Sequence, residues 1–228
     1  MKQIIIFDLD GTLLNTIADL GAACNYALAR CGLPIHEAEE YPRLVGNGIN
    51  RLIERALPIE LANLGEEERT KQIMRIRQEF VPYYNAHSCD LTRPYEGIKE
   101  TLEALHQKGL RLAVASNKYQ AAAEQIVRHF FGNTFDVVLG EREGIARKPD
   151  PHIVYDIWQA IKKGEETEDT LIQITLYVGD SQVDIETAKR AGVTMAACSW
   201  GFVPRQDLEN AAPNFIIDHP SQIIALTE

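Results

Sequence analysis

The four cysteines of this 228-residue chain stand at positions 24, 31, 89 and 198, and no pair of them has Cys-x-x-Cys spacing. Neither a zinc pattern with the histidines nor a disulfide framework follows from such spacing. Cys24 and Cys31 fall on one face of an expected helix and read as buried thiols. Long apolar runs are also missing: none approaches the ~20 residues that a membrane span requires. A single lysine, Lys2, precedes a short apolar stretch, which is not the pattern of a secretory leader. Positive charge is scarce, with 23 Lys and Arg against 33 Asp and Glu and a formal net charge of −10. That balance argues against nucleic acid or an anionic membrane as the main partner. A small anionic substrate stays open, because local lysines, Mg²⁺ and backbone N–H groups can hold one. There is no internal repeat and no low-complexity tract. The expected setting is a soluble, reduced, cytoplasmic protein, monomer or homodimer.

The informative stretch is residues 3–16, QIIIFDLDGTLLNT. Ile4 to Phe7 read as a buried strand, and Gly11 breaks it. Asp8 and Asp10 then stand at the carboxyl end of that strand, where open α/β sheets bind ligands. Residues i and i+2 of a strand point the same way. Two carboxylates brought that close need a cation or a shared proton, and Mg²⁺ takes such carboxylates together with phosphate oxygens.

Residues 16–86 read as helical, with helices expected from Ile17 to Cys31, over 49–57 and over 66–85. Beyond residue 93 strands and helices alternate. Strands are expected at 110–115, 135–139, 174–178, 193–197 and 215–217, with helices at 97–108, 119–131, 151–163 and 182–191. Alternation of this kind predicts an α/β fold: a Rossmann-like parallel sheet with helices on both faces. The opening strand belongs to the same sheet, so 16–86 is an all-α insertion between residues 1–15 and 87–228. The charged run Lys162–Asp169 reads as a solvated loop.

Three further strand ends carry candidate chemistry. Ser116 follows the strand at 110–115, as a helix cap or as a donor to a phosphoryl oxygen. Lys148, in Arg147-Lys148-Pro149-Asp150-Pro151, belongs either to a surface turn or to a site where it neutralises phosphoryl charge. Tyr177-Val178-Gly179-Asp180-Ser181 follows another apolar run, so Asp180 adds a carboxylate beside Asp8. Asp184 is either an acid favoured by its helix N-terminus or a support for a metal site.

In order, FDLDGT, VASN, RKPDP and VGDSQVDI resemble the four-motif signature of the haloacid dehalogenase-like phosphotransferases, and the resemblance spans nearly the whole chain. It implies that 16–86 is a helical cap domain. It implies Asp8 as nucleophile, forming an aspartyl-phosphate, and Asp10 as general acid and then base. Mg²⁺ would be held by Asp8, Asp180 and the Asp10 carbonyl, with Asp184 supporting. Ser116 and Lys148 would hold the phosphoryl group, with Gly11, Thr12 and Asn117 beside it.

Asp10 disfavours the dehalogenases and phosphonoacetaldehyde hydrolases, which lack an acid there. Ile49 stands where a β-phosphoglucomutase would carry an Arg. LVGNGINRLIERAL at 44–57 resembles the cap loop of phosphoglycolate phosphatases, and so do RPYEG, ASNK and GDSQVDI. Gly46, Asn47, Gly48 and Arg51 are therefore candidate substrate contacts, with Arg43 or Arg51 meeting a substrate carboxylate or making surface salt bridges. The connection at 159–173 is longer than the family's usual one. The expected activity is Mg²⁺-dependent hydrolysis of a small phosphorylated metabolite, 2-phosphoglycolate first. A pyrophosphatase, a nucleotidase, a broad sugar-phosphate phosphatase and a β-phosphoglucomutase-like enzyme are the alternatives, and a phospho-acceptor signalling module is the alternative outside enzymes.

Overall fold

The computed structural model describes residues 1–46 and 48–228. Its chain divides into two compact units, one of Met1–Asn15 with Pro94–Glu228 and one of Thr16–Arg93.

The first unit is built on a six-stranded parallel sheet. Its strands are β1 (Ile4–Phe7), β2 (Arg111–Tyr119), β3 (Val137–Glu141), β4 (Thr175–Gly179), β5 (Thr194–Cys198) and β6 (Phe215–Ile217). They lie side by side in the order β3-β2-β1-β4-β5-β6. The order reverses direction beside β1, and a crevice at such a switch point is where ligands bind in open α/β sheets. Phe7 pairs with Val114 on one side and Val178 on the other, so the ends of β1 and β4 lie beside Val114 of β2.

Every residue of β1 is fully buried, as expected of a parallel strand covered on both faces. Ile4 and Ile6 pack with Ile153, Val154, Ile157 and Trp158 of the helix His152–Ile161 and with Ile185 and Ala188 of Gln182–Ala191. Phe7, of opposite parity, meets Phe135 edge to face, and Phe135 in turn meets Phe131 at the end of Gln120–Phe131. The two helix sets thus cover opposite faces.

The strand ends differ from the sequence expectation by one or two residues, with one instructive exception. β2 continues to Tyr119 instead of stopping at 115, and its register against β3 shifts between Ala115 and Tyr119. Ser116 is therefore extended backbone and not a helix cap. The irregularity is a bulge, a device that re-aims side chains at a sheet's rim.

The run Lys162–Asp169 is also more than a solvated loop. A helix, Glu168–Ile174, begins inside it. Just before it, the Glu166 carboxylate accepts two hydrogen bonds from the guanidinium of Arg111, at 2.7 and 2.9 Å. Arg111 is buried at the start of β2 and also donates to the Ile161 carbonyl. The sequence shows the two charges but not their meeting across the sheet's amino end.

In the second unit the helix Ile17–Arg30 packs on Glu66–His87 through Leu20, Ala23, Cys24, Ala27 and Leu28 against Ile76, Phe80 and Tyr84. The last three recur every four residues, a single helical stripe. The buried Asp19 carboxylate accepts the backbone N–H groups of Leu91 and Thr92, tying the unit's exit to its entry helix. That unit runs to Arg93, past the boundary expected at 86. Cys24, Cys31 and Cys198 are buried free thiols. No helix among the described residues is long and apolar enough to cross a membrane.

Glu166→Gln is expected to destabilise the protein by about 1.5–3 kcal/mol, the range for hydrogen bonds to charged groups. The Arg111 hydrogen bonds hold the Glu166 carboxyl down at about 2, from an ordinary 4.5. The stabilisation is therefore full above pH 4.5 and is lost as pH falls through about 2. Chemical denaturation of both proteins should show a gap that closes on acidification; a gap independent of pH would refute the assignment.

Candidate active site

The four motifs converge at the carboxyl ends of β1, β2 and β4. Lys148 is the hub. Its ammonium donates to Asp8 Oδ1 at 2.8 Å, to Asp184 Oδ1 at 2.7 Å and to the Ala115 carbonyl at 2.9 Å. Burial works against its charge, but Asp184 and Asp8 outweigh burial and hold its pKa well above the ordinary lysine value. Lys148 reaches this position from a loop, and Asn117 holds that loop. The Asn117 amide donates to the Lys148 carbonyl at 3.1 Å and accepts the Lys148 N–H at 3.0 Å.

Asp184 is saturated with donors. Oδ2 accepts the Ser181 N–H at 3.2 Å and its hydroxyl at 2.5 Å, while Oδ1 also accepts the Tyr177 hydroxyl at 3.3 Å. Ser181 and Asp184 form a reciprocal cap on the helix Gln182–Ala191, so helix start and site share one carboxylate.

Asp180 accepts the Thr12 hydroxyl at 3.0 Å and the Phe202 N–H at 2.8 Å. Burial, and then repulsion from Asp184, push its carboxyl up to about 7. Burial likewise raises Asp8 well above the usual range, with Asp184 and Asp180 adding to it and Lys148 opposing. Gly11, at φ +92°, packs so tightly that a Cβ there would lie 2.2 Å from Asp180 Oδ2. A Cβ on Gly201 would lie 2.2 Å from the Asp180 Cβ.

Asp8, Asp180 and Asp184 each offer a carboxylate oxygen, all within 4.8 Å of one another. With Lys148 the group carries three negative charges and one positive, a formal −2. Buried hard oxygen donors with that charge fit a divalent cation such as Mg²⁺. The Asp10 carboxylate is not in that group; it pairs with the Lys118 ammonium at 3.0 Å.

Other sequence candidates take more specific places. The Ser116 hydroxyl is buried and accepts the Lys118 N–H at 3.2 Å. Thr12 turns its hydroxyl to Asp180. Gly46 and Gly48 lie in the helical unit at φ +109° and +85°, and Asn47 lies outside the described residues. Arg51 is exposed and ion-paired with Glu54 at 2.5 Å. Arg55, which the sequence reading passed over, donates to the carbonyls of Leu44 and Val45 and braces that loop.

Nothing in the sequence singles out Lys118 within ASNK, and little marks the loop Ser199–Phe202. In that loop the Trp200 indole N–H donates to the Thr12 carbonyl at 3.0 Å, beside the Phe202 contact to Asp180. An apolar strand followed by Trp-Gly-Phe was the only local signal.

Comparison with known proteins agrees with this geometry. The haloacid dehalogenase-like hydrolase family profile matches residues 5–198. The chain belongs to the haloacid dehalogenase-like hydrolases. It is 32% identical to a phosphoglycolate phosphatase of Aquifex aeolicus over 99% of this chain and 97% of that protein. It is 33% identical to the phosphoglycolate phosphatase of Pasteurella multocida, covering 99% and 98%. A crystal structure from Lactobacillus delbrueckii subsp. bulgaricus, provisionally named a phosphoglycolate phosphatase, superimposes with a TM-score of 0.88 at 30% identity, covering 100% of this chain and 99% of that one. This haloacid dehalogenase-like hydrolase is thus an enzyme similar to the phosphatases of its family.

Asp180 yields a stability test. Its raised pKa means that the metal-free native state binds a proton more tightly than the unfolded chain, so its contribution declines as pH rises from 3.8 through about 7. Asp180→Asn keeps both contacts, with its NH₂ now donating to the Thr12 hydroxyl and its oxygen accepting from Phe202. In EDTA the variant should melt above the wild type at pH 8 and level with it near pH 5. A variant that melts lower at pH 8 would contradict the burial argument.

Proposed function

We propose that this enzyme is a Mg²⁺-dependent phosphatase that hydrolyses a small phosphate monoester, 2-phosphoglycolate foremost, through an aspartyl-phosphate on Asp8. The observation that carries the reading is the grouping of Asp8, Asp180 and Asp184 around the Lys148 ammonium. Asp8 and Asp180 would hold Mg²⁺, with the Asp10 carbonyl as a further ligand. The ion would offset repulsion between the Asp8 carboxylate and the incoming phosphate dianion. Asp184, already accepting from Lys148, Ser181 and Tyr177, acts as the support that orients Lys148.

Asp8 then attacks phosphorus as the ester oxygen leaves. Splitting the displacement in two lets one carboxylate serve as nucleophile and a second, Asp10, as acid and then as base. Lys148 and the Ser116 hydroxyl take up charge on the transferring group, where positioning and electrostatics do most of the catalysis. The backbone N–H groups near Gly11 and Asn117 complete that cradle. The helical unit is assigned the part of the cap, with Gly46, Asn47, Gly48 and Arg51 as its substrate-facing candidates. The small-metabolite class and the choice of phosphoglycolate rest on the names of the relatives and on the resemblance of the 44–57 loop.

Phosphate release with Mg²⁺ should be at least about tenfold more efficient for 2-phosphoglycolate than for β-glucose 1-phosphate, pyrophosphate, nucleoside monophosphates or sugar phosphates, a preference of about 1.4 kcal/mol. EDTA should abolish it. Asp8→Asn should abolish turnover while the protein stays folded, and acid quenching of the wild type should trap phosphate on Asp8. A different leading ester would displace the substrate; an active Asp8→Asn enzyme would overturn the mechanism.

A further inference from the structure

Lys118 is a second buried ammonium that the reaction described above does not use. Its side chain is 4% exposed, and its Nζ lies 3.0 Å from Asp10 Oδ1. It reaches that position because β2 continues through a bulge at 116–119. A Cβ on the neighbouring Gly140 would lie 2.4 Å from the Lys118 carbonyl, so the strand is held closely there. The Lys118 N–H is anchored on the Ser116 hydroxyl. The ammonium is thus placed on rigid backbone.

We infer that Lys118 recognises a carboxylate on the leaving group and so selects phosphate esters of small hydroxy acids. The inference rests on the proposed role of Asp10. For Asp10 to protonate the leaving oxygen, that oxygen must come within about 3 Å of its carboxyl. A carboxylate on the adjoining carbon lies about 3 to 4 Å from the same oxygen by ordinary bond lengths. Nζ, at 3.0 Å from Asp10 Oδ1, is then within reach of both groups at once. An ester of a neutral alcohol gives the ammonium no second anion. A leaving group with its own carboxylate brings a second anion to a buried ammonium that already stands beside the acid. Sites built to bind a polar group discriminate strongly against analogues that lack it.

The experiment compares 2-phosphoglycolate with ethyl phosphate, which has the same chain length but no carboxylate, in the wild type, Lys118→Met and Lys118→Arg. Mg²⁺ is saturating, and the melting temperature of each protein is recorded. The ratio of kcat/KM for the two esters should be large in the wild type. In Lys118→Met it should fall at least about tenfold, mainly through KM for phosphoglycolate, and Lys118→Arg should restore most of it. A ratio unchanged in Lys118→Met would overturn the inference and leave the substrate reading standing. A wild-type ratio near one would overturn both. Should Lys118→Met fail to fold, Lys118→Gln and Lys118→Arg decide the matter, since only the arginine keeps the charge.

Discussion

Everything at the sheet's carboxyl end depends on one buried ammonium shared by two carboxylates. Lys148 touches Asp8, Asp184 and the Ala115 carbonyl, and so links the ends of β1 and β2 with the helix that follows β4. Removing the ammonium from such a group leaves both carboxylates buried without their cation, which is costly. Its supports are correspondingly strict. Asn117 grips both backbone polar groups of Lys148, and Ser181 fills the oxygen of Asp184 that Lys148 leaves free. Four motifs distant in sequence become one hydrogen-bonded network.

The space around Asp180 follows from this crowding. Two segments close on that carboxylate: the turn at Gly11 and Thr12, and the loop through Gly201 to Phe202. Gly11 and Gly201 leave no room for a Cβ, so close approach of backbone, rather than turn geometry alone, requires glycine there. The indole of Trp200 holds the Thr12 carbonyl and joins the loop to the turn. Asp180 keeps two hydrogen bonds and still has lone pairs directed at the same space as Asp8.

Much of this was legible in sequence because it is local. Apolar runs followed by Asp, Ser or Gly mark strand ends, and parallel strands of one sheet bring those ends together; that is why Asp8, Ser116 and Asp180 are readable, while Lys148, on a loop, rests on its motif. The helix Gln182–Ala191 and the strand Phe215–Ile217 fall where periodicity and apolar runs put them. What was not legible depends on partners far along the chain. Asn117 was read for its backbone, but its side chain clamps a residue 31 positions away. Glu166 looked solvated because nothing near it in sequence announces Arg111, 55 positions earlier. Lys118 stood next to a recognised motif, but its meaning comes from a bulge that carries β2 past Ala115.

The charges also bear on how a chain of net −10 could take the dianionic substrate proposed for it. Two centres with different charge lie side by side. Around Lys148 three carboxylates and one ammonium leave a formal −2, a deficit that a divalent cation cancels. At Asp10 one carboxylate faces one ammonium, and the pair is neutral. On the proposed reading, a cation at the first centre would turn an acidic pocket into one that accepts phosphate, while the neutral second pair would be left for moving a proton. Exposed charges far from the site are screened within about 10 Å at ordinary ionic strength and act on it weakly. The few buried charges, with little water between them, decide what the site accepts.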